Sequence, residues 1–274
     1  MPELPEVETV RRSLERRIVG RTVTDCIVRE TRFRTPLDPA ALQVALRGRR
    51  IVGVERRSKY LLIALAGEDV LVLHLGMSGR LDLARRGTAF LPHTHVQLEL
   101  DGGDELRFSD PRRFGMLFVT SRAALPAHPR FTGLGIEPFD RGFTVDYLLD
   151  RGRSSRRPVK NFLMDARVVV GVGNIYASEA LHRARVRPST SVRRLSPQRM
   201  RCVHASVRAV LASAVRAGGT TLQDFRDTDG HAGRFQVRLR VYDRAGEACH
   251  RCGRTIRRIV QAGRSTFYCP GCQH

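Results

Sequence analysis

Two Cys-x-x-Cys pairs near the end of the chain restrict its fold more than any other feature. They are Cys249-x-x-Cys252 and Cys269-x-x-Cys272, and sixteen residues separate them. Each pair can present two thiolates to one ion, and four thiolates make a tetrahedral zinc site. A segment this short buries no core of its own, so bound metal would supply its folding energy. We therefore expect one structural Zn²⁺ ion and a hairpin between the pairs.

Disulfide bonds are the alternative use of these cysteines. The other two cysteines, Cys26 and Cys202, follow no comparable spacing, and the reducing compartment inferred below disfavours disulfides. Zinc is the better interpretation, and His250 and His274 are expected to lie beside the site without binding the metal. The hairpin also carries four arginines that could meet phosphate, namely Arg254, Arg257, Arg258 and Arg264.

The net charge of the chain indicates its partner. Its 274 residues carry a formal charge of +21 at pH 7. A solvated basic surface is the simple alternative, but so large an excess destabilises a compact chain through self-repulsion. We expect a nucleic acid, which binds such proteins by phosphate neutralisation and counterion release.

Length and hydrophobic patterning limit the class of protein. The chain is long enough for two modest domains with cores. No apolar run approaches the roughly 20 residues needed to cross a bilayer, and the acidic start is unlike a secretory signal. A cytoplasmic location is expected.

Short segments rich in β-branched residues dominate the first half, as is typical of a β-sandwich or barrel. From about Thr144 the pattern becomes helical, most clearly over Arg199 to Ala217. A linker rich in Pro and Gly, Pro126 to Phe139, would join the two parts of an α+β chain. The seven predicted strands are Thr22 to Val28, Ile51 to Arg57, Tyr60 to Leu65, Val70 to Leu75, Thr94 to Leu100, Glu105 to Phe108 and Met116 to Thr120.

The chain begins Met1-Pro2-Glu3-Leu4-Pro5-Glu6. Removal of Met1 would leave a terminal secondary amine beside two carboxylates, and terminal amines lose their proton more readily than lysine. Such an amine can attack an aldehyde carbon. In the simpler interpretation the prolines only start a helix with a buried stripe, and the two interpretations are compatible. The stripe would consist of Val7, Val10, Leu14 and Ile18.

Lysine is almost absent from the chain. Among 48 basic residues only Lys59 and Lys160 are lysines. Where lysine persists among arginines, a titratable or compact ammonium can be required. Chance survival explains the two lysines equally well.

Three glycine-bearing turns carry side chains suited to DNA. His74 to Gly79 presents Met77, and Asp110 to Gly115 presents Arg112 and Phe114. Met and Phe can wedge between base steps and Arg can hydrogen-bond a base, although such residues more often fill a core. In Val172 to Tyr176, Asn174 is the expected cap of a helix over Ala177 to Arg183, whose N-terminus could bind phosphate or be an ordinary capped end.

Together these motifs resemble the formamidopyrimidine-DNA glycosylase family of bacterial DNA repair enzymes, from Pro2 to Cys272. The matching motifs are Pro2-Glu3-Leu4-Pro5-Glu6-Val7-Glu8, Lys59-Tyr60-Leu61-Leu62, His74 to Gly79, Asp110 to Gly115, Leu163-Met164-Asp165, Val170 to Ser178, Gly218-Gly219-Thr220-Thr221-Leu222 and Thr266-Phe267-Tyr268-Cys269.

The resemblance implies a bifunctional DNA glycosylase and abasic-site lyase that removes 8-oxoguanine and formamidopyrimidines. It implies a catalytic β-sandwich domain with a leading helix over residues 1–130 and a helix-two-turn-helix domain over 131–240, followed by a zinc finger over 241–274. The partner would be damaged double-stranded DNA, bound by a monomer in the bacterial nucleoid.

The resemblance also implies a role for each of five catalytic residues. Pro2 would attack C1′ of the damaged nucleotide and form an iminium, while Glu3 would protonate the sugar ring oxygen. Glu6 would orient both residues. Lys59 would serve later proton transfers and hold phosphate, and Arg264 would assist the second of the β- and δ-eliminations that leave a one-nucleotide gap.

Further residues would contact the DNA. Met77, Arg112 and Phe114 would fill the space of the extruded base, with Arg112 facing the widowed cytosine. The resemblance adds His93, Lys160 and Asn174 as contacts, mostly to phosphate.

Two local features bear on the assignment. The loop after Gly218 resembles the lid of the purine-specific enzymes. The chain departs from the family at Ser154-Ser155-Arg156-Arg157, which stands where a lysine cluster is common. Arg156 is expected to take over that phosphate contact, within a position or two.

Two alternatives remain open. An endonuclease VIII-like enzyme would prefer oxidised pyrimidines such as thymine glycol. A non-catalytic zinc-ribbon protein that binds DNA would account for the charge and the cysteines, but it would leave Pro2, Glu3 and Lys59 unexplained.

Overall fold

The structure is a computed structural model that describes residues 2–220 and 235–274. The chain divides into two compact units. One contains the chain up to Thr132 and resumes at Ala217, and the other runs from Gly133 to Arg216 and again from Phe235. The first break lies inside the predicted linker. The helices of the second unit and the cysteine pairs belong to one compact unit, and the domain limits at residues 130 and 240 stay a prediction.

The first unit contains an antiparallel β-sandwich, as predicted. Its two sheets have the strand orders β1-β6-β7-β5 and β2-β3-β4-β8, and aliphatic side chains of both sheets form its core. The strands are β1 (Val23–Val28), β2 (Ile51–Arg57), β3 (Tyr60–Leu65), β4 (Asp69–His74), β5 (Arg80–Arg85), β6 (Thr94–Leu100), β7 (Asp104–Ser109) and β8 (Met116–Ser121).

A helix, α1 (Leu4–Ile18), leads into this sandwich, and Pro5 lies in its first turn. The four residues of the predicted stripe are each no more than 1% exposed. A second helix, α2 (Pro39–Leu46), begins where the Asp38 carboxylate accepts a hydrogen bond from the Ala41 N–H at 3.0 Å. Capping of this kind satisfies a backbone donor that the helix leaves open.

The prediction of seven strands is wrong by one strand, β5. Three of its six residues are charged, yet it pairs with β7 along its whole length, from Arg80 opposite Ser109 to Arg85 opposite Asp104. Leu81 is buried, whereas Asp82 forms an ion pair with Arg80 at 3.1 Å. Pairing with β7, more than hydrophobicity, therefore makes this segment a strand.

The second unit is helical and ends in a β-hairpin, as predicted. Its helices are α3 (Val145–Gly152), α4 (Val159–Leu163), α5 (Asn174–Arg183) and α6 (Pro197–Arg216), and its hairpin strands are β9 (Arg257–Gln261) and β10 (Arg264–Tyr268). α6 buries Val203, Val207, Leu211 and Ala214 on one face. Ala262 and Gly263 connect β9 to β10 with φ of 47° and 72°, which suits a tight two-residue turn. Among the described residues, no helix combines the length and hydropathy of a membrane span.

Candidate active site and nucleic-acid interface

The start of α1 places two buried carboxylates beside Pro2. Pro2 itself is buried, and Glu3 and Glu6 are each 2% exposed. The Oε2 atom of Glu6 accepts a hydrogen bond from the Glu3 N–H at 2.8 Å, and its Oε1 atom accepts one from the Thr220 N–H at 2.7 Å. Glu6 therefore holds the backbone that carries Pro2 and Glu3, in keeping with the orienting role expected for it.

Gly219 approaches this carboxylate closely. Its φ is +81°, and a Cβ atom at this position would lie 2.9 Å from Oε1 of Glu6. Glycine is the residue that combines this backbone conformation with so close an approach. The predicted lid continues from here, and its remaining residues, from Thr221, lie outside the described residues.

Lys59 lies in the turn between β2 and β3, half-buried. Arg56 fastens this turn to the first helix, since its Nη1 donates to the Ser58 carbonyl at 2.8 Å and its Nε lies 3.3 Å from the Glu8 carboxylate. The helix that follows Pro2 and the hairpin that carries Lys59 are thus held together within the first unit.

Two turns at one end of the sandwich meet through Asp110. This carboxylate is fully buried. Its Oδ1 accepts a hydrogen bond from the Ser78 hydroxyl at 2.6 Å, and its Oδ2 accepts one from the Gly115 N–H at 2.7 Å. Ser78 follows Met77, and Gly115 follows Phe114. Asp110 therefore joins the two turns whose side chains are predicted to fill the space of the extruded base.

The side chains of these turns are exposed. Met77 is 44% and Phe114 39% exposed, and the guanidinium of Arg112 lies 4.8 Å from the centroid of the Phe114 ring. The alternative in which Met77 and Phe114 fill the core is therefore wrong. His93 is also exposed, and its carbonyl accepts a hydrogen bond from the Asp110 N–H at 3.0 Å. The structure thus brings His93, Met77, Arg112 and Phe114 to one end of the sandwich.

In the second unit, Lys160 is buried and well satisfied. Its side chain is 1% exposed. The ammonium donates to Oδ1 of Asn174 at 2.5 Å, to Oγ1 of Thr266 at 2.6 Å and to the Ser265 carbonyl at 3.2 Å. The predicted phosphate contact of Lys160 stays a prediction, and the structure adds that this residue anchors Asn174 to the hairpin.

The expectation that Asn174 caps α5 is wrong. Gly173 is the N-cap, and Asn174 is the first helical residue. Its Nδ2 donates to the Ser265 carbonyl at 3.0 Å, because Lys160 and β10 offer the amide better partners than the helix end does. Arg264 precedes Ser265 and is exposed at the hairpin turn. Lys160 and Asn174 therefore both bind the residue next to Arg264.

The basic segment before α4 contains two different arginines. Arg157 is ion-paired, with Nη1 2.6 Å from Oδ2 of Asp165. Arg156 is exposed, and in the described part of the chain it makes no ion pair. Of the two, Arg156 is the arginine available for a phosphate.

The four cysteines form a site that fits one zinc ion. All four Sγ atoms lie within 4.8 Å of one another. Two of the S···S distances between the pairs are 3.9 Å, for Cys249 and Cys272, and 3.4 Å, for Cys252 and Cys269. A tetrahedron with Zn–S bonds of about 2.3 Å requires S···S distances of about 3.8 Å. All six cysteines are free of disulfide bonds, so the zinc interpretation fits and the disulfide interpretation does not.

Two residues of α5 that sequence reasoning missed also contact the zinc segment, residues 240–274. Glu179 accepts hydrogen bonds from the backbone N–H groups of Arg240, Val241 and Tyr242, each at 2.9 Å. The Nε2 atom of His182 lies 3.6 Å from Sγ of Cys249. Burial and the nearby arginines lower the pKa of His182 to about 4. The spacing of three residues, which puts both side chains on one helix face, was the available signal.

Family models match most of the chain. A model described as the formamidopyrimidine-DNA glycosylase N-terminal domain matches residues 1–117, and one for the H2TH domain of the same enzymes matches residues 134–226. A third, described as a zinc finger found in FPG and IleRS, matches residues 246–274.

Individual relatives agree with these models. A formamidopyrimidine-DNA glycosylase from Alkalilimnicola ehrlichii is 49% identical over 279 residues, covering 100% of both chains. The crystal structure of the MutM (FPG) protein from Thermus thermophilus has a TM-score of 0.89 at 43% identity, covering 99% of this chain and 98% of that one. A Lactococcus lactis FPG mutant in complex with Fapy-dG-containing DNA has a TM-score of 0.93 at 33% identity, covering 100% of both chains.

Proposed function

The chain belongs to the formamidopyrimidine-DNA glycosylase family, and we propose that Pro2 is the nucleophile with which it excises oxidised purines from DNA. It is a DNA glycosylase and abasic-site lyase of base-excision repair. The observation that carries the mechanistic proposal is the buried group of Pro2, Glu3 and Glu6, in which Glu6 holds the backbone N–H of Glu3.

The first step joins enzyme and substrate. After removal of Met1, the lone pair of the Pro2 nitrogen forms a bond to C1′ of the damaged nucleotide. The glycosidic bond breaks, its electron pair leaves with the base, and the base takes up the proton that the Pro2 nitrogen gives up. Glu3 protonates the ring oxygen O4′, so the C1′–O4′ bond breaks and a Pro2 iminium forms. Glu6 keeps both residues in place through its fixed hydrogen bonds.

The iminium then serves as an electron sink. Loss of a proton from C2′ expels the 3′ phosphate, and a second elimination expels the 5′ phosphate. Water hydrolyses the remaining iminium and frees the enzyme. We assign proton transfers and phosphate binding to Lys59, and assistance of the second elimination to Arg264.

Binding of damaged duplex DNA rests on the basic charge and on the exposed end of the sandwich. A target base must leave the stack before C1′ is accessible, which costs a few kcal/mol. Met77 and Phe114 would occupy the vacated space, and Arg112 would hydrogen-bond the orphaned cytosine. Asn174, Lys160, His93 and Arg156 would also contact the DNA, mostly at its phosphates. We infer that the protein acts as a monomer on the nucleoid in the cytoplasm.

Borohydride trapping tests this proposal. The untagged protein is incubated with an 8-oxoguanine:cytosine duplex, the iminium is reduced, and the cross-linked peptide is mapped by mass spectrometry. We expect an adduct on Pro2, whereas a protein that retains an N-terminal extension should form none.

Other outcomes would contradict the proposal. Tight zinc-dependent binding without any adduct would favour a non-catalytic DNA-binding protein. An adduct only with oxidised pyrimidines would favour an endonuclease VIII-like specificity. An adduct on Lys59 would show that Lys59, and not Pro2, is the nucleophile.

A further inference from the structure

We propose that His182 is a positioning residue of the zinc site, which donates a hydrogen bond from Nε2–H to the thiolate of Cys249. The inference concerns the metal site alone and goes beyond the proposed reaction. It assigns a function to a buried histidine that the catalytic mechanism does not use.

The geometry fits a hydrogen bond to sulfur. The Nε2···Sγ distance is 3.6 Å, and His182 and Cys249 are 4% and 3% exposed. A zinc-bound thiolate carries lone pairs and no proton, so it can only accept. The imidazole N–H is therefore the donor in this pair.

His182 is a partner of a ligand and not itself a ligand. Among the described residues, the mutually close donor atoms at this site are the four cysteine sulfurs. Four thiolates complete a structural zinc site, which keeps no open position. Hydrogen bonds from surrounding groups orient metal ligands, and their loss typically weakens metal binding by about 10- to 100-fold.

Through His182 and Glu179, α5 contacts the zinc segment at two places. One turn earlier on the same face, Glu179 fixes residues 240–242, which lead to the first cysteine pair. Glu179 forms its hydrogen bonds with backbone N–H groups, whereas His182 contacts a metal ligand directly. The helix that begins at Asn174 is thus bonded both to the entry of the zinc segment and to Cys249.

Three variants of the full-length protein test the inference, namely His182→Phe, His182→Gln and His204→Phe. Phenylalanine keeps ring volume without a donor, and the amide nitrogen of glutamine can replace Nε2. His204 is the matched control, because its Nε2 contacts the Phe143 carbonyl at 2.7 Å and not a cysteine sulfur. Each protein is measured for zinc affinity against a chromophoric chelator and, after cobalt substitution, for its thiolate-to-cobalt charge-transfer absorption.

We expect H182F to bind zinc about 10- to 100-fold more weakly and to move the charge-transfer band to lower energy. A thiolate that loses a hydrogen bond donates its electrons more readily, which accounts for the direction of the shift. H182Q should keep the wild-type band, and H204F should change neither measurement.

A band and affinity in H182F that equal those of H204F would overturn the inference. A changed charge-transfer intensity in H182F would also overturn it, because the number of bound thiolates would then have changed. If H182F fails to fold, H182Q decides, since a displaced band in that variant contradicts the hydrogen bond. None of these measurements involves DNA, so failure of the proposed catalytic function leaves the result unaffected.

Discussion

Pro2 is the residue on which the proposed chemistry depends most directly. Pro2→Gly keeps a terminal amine but removes the ring that fixes its direction, and misplacement of a reacting group by about 1 Å can cost roughly 10²-fold in rate. We expect single-turnover excision of 8-oxoguanine to fall by about that factor, with binding to a non-cleavable abasic duplex nearly unchanged. Pro5→Ala is the control, because Pro5 lies in the first turn of α1 and leaves the amine intact. Equal turnover in P2G would refute the nucleophile assignment.

His74 links the stability of the first unit to pH. Its Nδ1 accepts the Gly76 N–H at 2.9 Å. Burial, with smaller effects of the Lys59 and Arg130 charges, lowers its pKa from 6.5 to about 4. The unfolded chain takes up this proton near pH 6.5 and the folded chain only near pH 4. The stabilisation is therefore complete above pH 6.5 and is lost as the pH falls towards 4, by about 3 kcal/mol at most.

Urea unfolding of the wild type and of His74→Gln between pH 7 and pH 4 measures this effect. We expect a smaller loss of stability on acidification in H74Q. His182, whose pKa is also lowered by burial, is present in both proteins, so the difference between them isolates His74. Parallel pH profiles would show that His74 does not contribute.

At the scale of single residues, sequence spacing indicates those partners that are close along the chain. The cysteine pairs carry their own spacing, and Glu3 and Glu6 are three residues apart. The second partner of Glu6, Thr220, is 214 residues away, and Cys249 is 67 residues from His182. Pairs so far apart in sequence depend on how the helices and strands pack, and a local sequence pattern does not predict that packing.

Among the structural elements, the turn at Gly76 offers a sharp test of how the turns that carry Met77 and Phe114 fit together. A Cβ atom on Gly76 would lie 2.5 Å from the Phe114 carbonyl carbon, and φ is +63°. Gly87 has a φ of +86° with nothing within 4 Å of such an atom. Gly87→Ala should therefore cost only the backbone strain, about 1–2 kcal/mol, whereas Gly76→Ala should cost clearly more.

Denaturant unfolding measures the two losses, and excision opposite cytosine and opposite adenine measures the function of the turn. We expect Gly76→Ala to reduce the preference for cytosine, because the turn that bears Arg112 and Phe114 must move. Equal losses of stability in the two variants would show that the turns do not abut.

Periodic elements were the easiest to predict. The buried stripe of α1 and the long face of α6 follow from helical spacing. Sequence patterning misses the strand β5 because three of its six residues are charged, and it misses α2 because that helix is short. Residue preference puts the cap of α5 at Asn174, one residue too late, because Asn is a favoured cap and only the tertiary structure reveals Lys160 and Ser265 as its partners.

For the whole molecule, charge determines how strongly the protein holds DNA. The formal charge of +21 is a sum over the chain, and many arginines are neutralised locally by carboxylates, such as Arg107 with Glu105 at 2.6 Å and Arg122 with Glu55 at 2.7 Å. Arginines already paired in this way have less to gain from a phosphate. The sequence predicts that the partner carries negative charge. It does not show which arginines remain available to bind phosphate.

Arg156 and Arg157 are neighbours, but Arg157 is paired with a carboxylate and Arg156 is available for a phosphate. Each phosphate contact contributes to the slope of log K against log salt concentration, so loss of one contact reduces the slope by about 1. Arg156→Ala should reduce the slope by that amount on a duplex containing an abasic analogue. Arg157→Ala should leave it nearly unchanged, because Arg157 is paired with Asp165. Binding titrations at several salt concentrations measure both slopes, and the reverse order would assign the phosphate contact to Arg157, which would then have to exchange its carboxylate partner for DNA.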